Sequence, residues 1–174
     1  IVQLSPDGKN WTISNTGITQ SLQTVYETAN SIWIAGDKGV LMQSIDNGKS
    51  WQDNNVDSRA TILSLFETVD HTLLATGTQG FIARRNNGEQ HWQLISAPTH
   101  SSLRTPVQAE DTGIIYISGK TGERSDAKDN GSSWKLLPPV TQGSIKSLYI
   151  DTHNKMLIGV GERLIRIPLL TRND

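Results

Sequence analysis

Tryptophan recurs along this chain at nearly constant intervals, behind turns of similar composition. Trp11, Trp51, Trp92 and Trp134 follow one another at intervals of 40, 41 and 42 residues. The clearest turn before them reads Ser-Ile-Asp-Asn-Gly-Lys-Ser-Trp over residues 44–51. A period of about 40 residues indicates that one small structural unit is used several times, as in solenoids and propellers.

Each interval contains four short runs that are typical of β-strands. The runs alternate apolar and polar residues or are briefly apolar, and polar turns separate them. A Gly-x-x-Gly turn stands between the second and third runs at residues 36–39, 77–80 and 119–122. Four short strands per ~40 residues predict an all-β fold, a β-propeller or partial propeller of about four blades with four antiparallel strands each. We treat residues 1–174 as one repeat domain, complete or part of a larger propeller, with repeats at roughly 1–14, 15–54, 55–96, 97–137 and 138–174.

The residue types in the turn before each tryptophan predict that this turn has a structural role. Asp46 can accept hydrogen bonds from amides just downstream, Gly48 supplies a positive φ, and the indole packs beside the turn. The other copies diverge: Ala127 takes the place of Ser44, and the copy at 87–92 keeps little beyond its first and last residues. Structural roles are predicted for Ser5, Asp7, Gly8, Trp11, Ser44, Asp46, Gly48, Trp51, Asn87, Trp92, Asp129, Gly131 and Trp134.

These motifs resemble a known type of repeat. The pattern Ser-x-Asp-x-Gly-x-x-Trp resembles the Asp-box of the sialidase-type (BNR) repeat. The longer string from Gly36 and Gly39 through Ser44, Asp46 and Gly48 to the tryptophan resembles the photosystem II assembly and stability factors and their bacterial relatives. The resemblance implies a propeller, normally of seven blades, in a lumenal, periplasmic or secreted protein. It also implies non-catalytic protein binding during the assembly of a membrane complex.

The length of the chain leaves two arrangements open. Seven blades at this period would need roughly 280 residues, whereas the chain has 174. The chain is either a piece of a larger propeller, or its first strands complete the unfinished last blade, within one small ring or between two copies. Because open propeller edges are adhesive, we expect self-association through them.

Composition excludes several other classes of function. The formal net charge of −1 removes the electrostatic argument for nucleic acid, which needs a basic face, and the chain has no cysteine for disulfides or thiolate metal sites. No apolar run approaches the ~20 residues of a transmembrane helix. The first residues are unlike a signal peptide and lack an initiating Met, so we expect a mature form or a fragment. The four histidines are not spaced as metal pairs, and we expect no metal and no cofactor.

Strand order predicts which turns share a rim of the propeller. Successive turns of an antiparallel meander alternate between its two ends. The Gly-x-x-Gly turns and the long linkers between blades should therefore lie on one rim, called here the Gly-x-x-Gly rim, and the turns before the tryptophans on the other, called here the Asx rim. Rigid scaffolds commonly carry function on such loops. A protein partner is predicted to contact Asp37, Lys38, Arg59, Gln79, Arg104, Lys120 and Arg163.

The sequence therefore favours a non-catalytic scaffold that is periplasmic, lumenal or secreted. The alternative is a glycoside hydrolase of the sialidase or xyloglucanase kind, or a carbohydrate-binding propeller. A hydrolase would need Glu110 or Asp111 to face another carboxylate across a cleft, or an arginine cluster. Arg166 opens an Arg-Ile-Pro string that is similar to one in sialidases, but here it ends the repeats. Trp33 lies off the tryptophan period and is predicted to pack between blades.

Overall fold

The computed structural model describes residues 1–4 and 9–171, and this part of the chain is almost entirely β-structure. A first hairpin pairs β1 (Val2–Leu4) with β2 (Trp11–Ile13). The first sheet contains β3 (Leu22–Glu27), β4 (Ile32–Gly36), β5 (Leu41–Ser44) and β6 (Gln52–Asp53). The second sheet contains β7 (Ile62–Glu67), β8 (Leu73–Gly77), β9 (Ile82–Arg85) and β10 (Gln93–Leu94). The third sheet contains β11 (Leu103–Gln108), β12 (Ile115–Gly119), β13 (Arg124–Ala127) and β14 (Lys135–Leu137), and the last sheet β15 (Ile145–Asp151), β16 (Met156–Gly161) and β17 (Leu164–Pro168).

Every sheet is an antiparallel meander whose strands neighbour one another in chain order. Single 3₁₀ turns at Asp37–Gly39 and Thr78–Gly80 link the second and third strands of the first two sheets. The prediction of an all-β propeller or partial propeller with four antiparallel strands per blade is thereby confirmed. No helix in residues 1–4 and 9–171 has the length and apolar character that a bilayer-spanning helix needs.

The apolar core lies between successive sheets. The second strand of each four-stranded sheet is buried almost throughout, because sheets or turns cover both of its faces. Trp33 on β4 is 2% exposed and packs with Leu65, Leu73 and Phe81 of the second sheet, which is the inter-blade role expected for it. A comparable cluster around Tyr116 joins the third sheet to the last. The four sheets form one arc in which each sheet packs on the next along the chain.

The first hairpin lies beside the first sheet. Ile1 packs on the cluster of Ile34, Val40 and Met42, and Ser14 Oγ donates a hydrogen bond to Gly48 O at 2.8 Å. β1 and β2 pair with each other, and β17 is an unpaired edge of the last sheet, within the described residues. The arc is therefore an open partial propeller, and the N-terminal strands do not complete the last sheet.

The three tryptophans that follow the later turns each bridge two packed units. Trp51 packs on the same apolar cluster as Ile1 of the first hairpin, Trp92 packs on Trp33 of the first sheet, and Trp134 packs on the cluster that contains Leu74 of the second. In each case the partner belongs to the preceding unit of the arc. Trp11 has no preceding sheet among residues 1–4 and 9–171, and it is 68% exposed.

The Gly-x-x-Gly turns hold the linkers between sheets. A Cβ on Gly39 would lie 2.5 Å from Val56 O, and one on Gly80 would lie 2.0 Å from Thr99 O. Both glycines also have φ near +70°. These positions need glycine because the linker backbone crosses directly over the turn. Strand pairing puts these turns and the linkers at one end of each sheet, with the turns before the tryptophans at the opposite end.

Candidate functional site

On the Asx rim, the turn at residues 44–51 is held by a compact set of hydrogen bonds. Asp46 accepts from Ser50 Oγ at 2.6 Å, from the Ser50 amide at 2.9 Å and from Ser44 Oγ at 2.8 Å. These bonds, led by that from the Ser50 hydroxyl, lower the pKa of Asp46 from 3.8 to about 2. The Ser44 hydroxyl also accepts from the amide of Gly48 at 2.7 Å.

The corresponding turn of the third sheet repeats half of this arrangement. Asp129 accepts from Ser133 Oγ at 2.6 Å and from the Ser133 amide at 2.9 Å, the same distances as at Ser50. Burial raises the pKa of Asp129, but the hydrogen bonds from Ser133 outweigh it and the pKa is lowered overall. Asn47 and Asn130 have φ of 59° and 57°, so the backbone conformation is also repeated. Ala127 supplies no hydroxyl where Ser44 does.

The other two copies differ. Ser5, Asp7 and Gly8 lie outside the described residues. In the second sheet an exposed Asn87 stands at the aspartate position, and Asn86 and Glu89 bond to each other across the turn. The hydrogen-bonded aspartate therefore recurs in the first and third sheets and is replaced in the second.

The seven residues predicted to contact a partner lie on or near the Gly-x-x-Gly rim. Lys38 and Gln79 occupy equivalent left-handed positions, with φ of 57° and 59°, and both side chains are exposed. Asp37 is already engaged, because its Oδ1 accepts from Thr61 Oγ1 at 3.1 Å and from Gln23 Nε2 at 3.4 Å. The remaining four, all exposed, are Arg59, Arg104, Lys120 and Arg163.

These residues form a surface and not a single cleft. They come from successive turns, linkers and strand ends along the arc. Arg163 lines a cavity of about 590 Å³ together with Glu162 and Gln142. Asp37 differs from the others because its carboxylate joins the first sheet to the second through Thr61.

Of the two carboxylates named for a glycoside hydrolase, Glu110 lines a cavity of about 390 Å³ that Glu67 also lines. Asp111 is ion-paired with Lys155, which lowers the pKa of Asp111. Asp126 is the buried carboxylate of the described residues, on the central part of the third sheet. Arg166 lies on β17, paired opposite Ile158. Within residues 1–4 and 9–171, no three His, Asp or Glu side chains group as metal ligands would.

A second candidate site, on the Asx rim between the first and second sheets, was not predicted from the sequence. A cavity of about 350 Å³ is lined by the turns 28–31, 67–73 and 85–89, and by Trp33. The guanidinium carbon of Arg85 lies 4.9 Å from the centre of the Trp33 ring, and burial lowers the pKa of Arg85. Counted from the Gly-x-x-Gly turn, Arg85 holds the position of Ser44 and Ala127. An arginine at a position that holds a small residue in two other repeats is the sequence feature that could have indicated this site.

Comparison with known proteins gives relatives of the same architecture. "Photosystem II assembly lipoprotein Ycf48" of Synechococcus sp. (strain CC9902) is 22% identical over 136 residues, which are 76% of this chain and 40% of the relative. The solved structure "YCF48 bound to D1 peptide" matches with a TM-score of 0.72 and 13% identity, over 94% of this chain and 56% of that one. The computationally designed Ika4 protein matches with a TM-score of 0.69 and 9% identity, over 90% and 96% of the two chains.

The chain spans less than two thirds of the length of both Ycf48 proteins. At these identities the two structural matches show the shared propeller fold alone. A family profile, described as the DUF6242 beta propeller domain, matches residues 2–108, which is more than half of the sequence. Together with the stacked four-stranded meanders, this match shows that the chain belongs to the DUF6242 beta propeller domain family.

Proposed function

We propose that this chain is a section of a non-catalytic β-propeller scaffold that binds a protein partner. The observation that carries the proposal is the sequence similarity to Ycf48 over 76% of the chain, since Ycf48 is named as an assembly protein. We extend the proposal to a role in the assembly or stability of a membrane protein complex. The same relative is named a lipoprotein, which supports a periplasmic, lumenal or secreted location.

The surface proposed for the partner is the Gly-x-x-Gly rim. Lys38, Arg59, Arg104, Lys120 and Arg163 present five basic groups there, and all five are exposed. The turns beneath them are fixed by glycine contacts with the linkers, so little conformational entropy has to be lost when a partner binds. Basic groups on a rigid rim favour a partner surface with acidic residues. Gln79 contributes a neutral hydrogen-bonding group to the same rim, and Asp37 holds the rim together.

We propose in addition that the turns of the first and third sheets are Asp-boxes of the BNR type. Two aspartates with the same two hydrogen bonds from a serine four residues later support this assignment. Their carboxylates are occupied by their own turns. The Asp-box residues therefore serve the fold and are not assigned a part in binding or reaction.

The test combines a binding assay with charge reversal. The purified chain is immobilised and exposed to detergent-solubilised membranes of its source organism, and retained proteins are identified by mass spectrometry. We expect a specific subunit of a membrane complex to be retained, and to be lost with Arg59→Glu and Arg104→Glu combined. Lys49→Glu, an exposed change on the opposite rim, is the matched control and should leave retention unchanged.

Two results would contradict the proposal. Retention of the same subunit by the charge-reversed protein would remove the Gly-x-x-Gly rim as the binding surface. Turnover of chromogenic sialosides or β-glucans by the purified chain would contradict the non-catalytic role and favour the glycoside hydrolase alternative.

A further inference from the structure

Two residues that line the cavity between the first and second sheets each carry a buried hydrogen-bond donor without an acceptor among residues 1–4 and 9–171. Nη1 of Arg85 is buried and has no hydrogen-bond partner in the described part of the chain, and the same is true of Nε1 of Trp33. Both residues line the cavity, and Trp33 is almost completely buried. Buried donors without acceptors destabilise a folded protein, so such groups in a native structure call for an explanation.

The Arg85 guanidinium is held in place from two directions. Its central carbon lies over the Trp33 ring, which in turn packs edge-on against Trp92 with ring centres 5.8 Å apart. Its Nε donates to the backbone carbonyl of Glu89. The head group is therefore oriented before any ligand arrives, which reduces the entropy lost on binding.

The acidic residues around the cavity do not neutralise Arg85. Glu67 is bonded to His71, with Oε1 and Nδ1 3.0 Å apart, and Glu89 Oε1 accepts from Asn86 Nδ2 at 3.0 Å. Neither carboxylate forms an ion pair with Arg85 among the described residues. Arg85 is thus a partly buried cation that, among the described residues, is not ion-paired with either carboxylate lining the cavity.

Comparison of the repeats shows that Arg85 is exceptional at its position. Ser44 and Ala127, which correspond to Arg85, are small and almost fully buried, and Ser44 stabilises its own turn. Replacing such a residue by arginine removes a turn-stabilising group and introduces a charge. Departures from a local structural rule concentrate at functional sites in natural proteins.

The donors and their neighbours define the chemical class of the ligand. Two N–H donors require an acceptor, and a planar carboxylate matches the fork of a guanidinium. Glu67 and Glu89 also line the cavity, and they repel a dianion such as phosphate more strongly than a monoanion. We propose that the cavity binds a single carboxylate group, through Arg85 Nη1 and Trp33 Nε1.

A titration of the intact chain followed by NMR tests the proposal. Sodium acetate and two capped tripeptides, acetyl-Gly-Glu-Gly-amide and acetyl-Gly-Gln-Gly-amide, are added to ¹⁵N-labelled protein at constant ionic strength. We expect a saturable shift of the Trp33 indole N–H with acetate and with the glutamate peptide, and none with the glutamine peptide. The resonance is assigned by its absence from Trp33→Phe.

Acetate and the glutamate peptide distinguish the two sources of a carboxylate. Tighter binding of the peptide indicates a partner's acidic side chain, and equal binding indicates a free small acid. Either result supports a carboxylate site. The cavity lies on the Asx rim, so this outcome is independent of the proposed partner surface on the other rim.

Substitutions give the matched comparison. Arg85→Gln should weaken binding by about tenfold or more, because a charge-assisted hydrogen bond is lost. Arg84→Gln, one residue earlier on β9, is the control and should leave the affinity unchanged, since Arg84 bonds to Asn130 O outside the cavity. If circular dichroism shows that Arg85→Gln is unfolded, Arg85→Lys takes its place and should also bind more weakly, because it lacks the planar fork.

Three results would overturn the proposal. The first is the absence of a saturable shift with both acetate and the glutamate peptide. The second is an unchanged affinity in the folded Arg85 variant. The third is tighter binding of inorganic phosphate than of acetate, which would show that the ligand class is wrong.

Discussion

Replacing Ser44 by alanine isolates the contribution of one hydroxyl to the best-formed turn. Ser44 is 1% exposed, and its Oγ accepts from the Gly48 amide at 2.7 Å while donating to Asp46 at 2.8 Å. Ser44→Ala leaves the buried Gly48 amide without its acceptor. A buried donor left unpaired costs about 1–3 kcal/mol in the free energy of unfolding.

The expected result is a loss of about 2 kcal/mol, which corresponds to a fall in Tm of about 4–8 °C for a domain of this size. Urea denaturation followed by tryptophan fluorescence measures the change, with Trp51 next to the altered turn. The reciprocal variant Ala127→Ser is the comparison, because it adds the hydroxyl to the turn of the third sheet. We expect Ala127→Ser to be neutral or to stabilise the chain by up to about 1 kcal/mol.

The reasoning would be refuted if Ser44→Ala changed the free energy of unfolding by less than about 0.5 kcal/mol, the range of ordinary surface substitutions. It would also fail if Ala127→Ser destabilised the chain as strongly as Ser44→Ala. In either case the repeated turn would not depend on the hydrogen bonds that the structure shows.

Three further predictions concern the linkers, the pH dependence and the open ends. Gly80→Ala should lower Tm more than Gly88→Ala: both glycines have positive φ, but only at Gly80 would the new Cβ meet linker backbone, at 2.0 Å, and differential scanning fluorimetry compares the two variants. Because the pKa of Asp46 is lowered to about 2, its contribution to stability is present above the unfolded-state pKa near 4 and lost as pH falls toward 2. Urea denaturation at several pH values should therefore show a smaller loss of stability over this range for Asp46→Asn than for the unaltered chain. We also expect a second copy to associate through the open ends, where Trp11 is 68% and Leu164 60% exposed; sedimentation should show a concentration-dependent dimer that Trp11→Ser weakens, and a monomer at all concentrations would contradict this.

The sequence predicted the fold because its strongest signals are local and repeated. The periodic tryptophans and the Gly-x-x-Gly turns each correspond to a contact that recurs between neighbouring units. Trp92 and Gly80 are examples. One copy can diverge, but the period remains visible in the others. The strand order followed from the same pattern, because short polar turns connect only neighbouring antiparallel strands.

The candidate site was harder to predict because it depends on contacts between repeats. The bond from Thr61 to Asp37 joins residues that are 24 positions apart, so the sequence could not show that this carboxylate is engaged. The poor turn before Trp92 was interpreted as simple divergence. In the structure, that divergence places Arg85 over Trp33, a residue of another sheet. Aligning the repeats on their glycines would have shown an arginine at the position of a buried serine.

The central claim is that one hydrogen-bonded turn recurs in the first and third sheets and serves the fold. Hydrogen exchange at the amides of Ser50 and Ser133 tests it most directly, because each amide lies 2.9 Å from the aspartate four residues earlier. We predict that both amides exchange much more slowly than in an unstructured peptide, and that Asp46→Ala accelerates exchange at Ser50 while leaving Ser133 unchanged. Exchange of both amides at unstructured rates would contradict the claim.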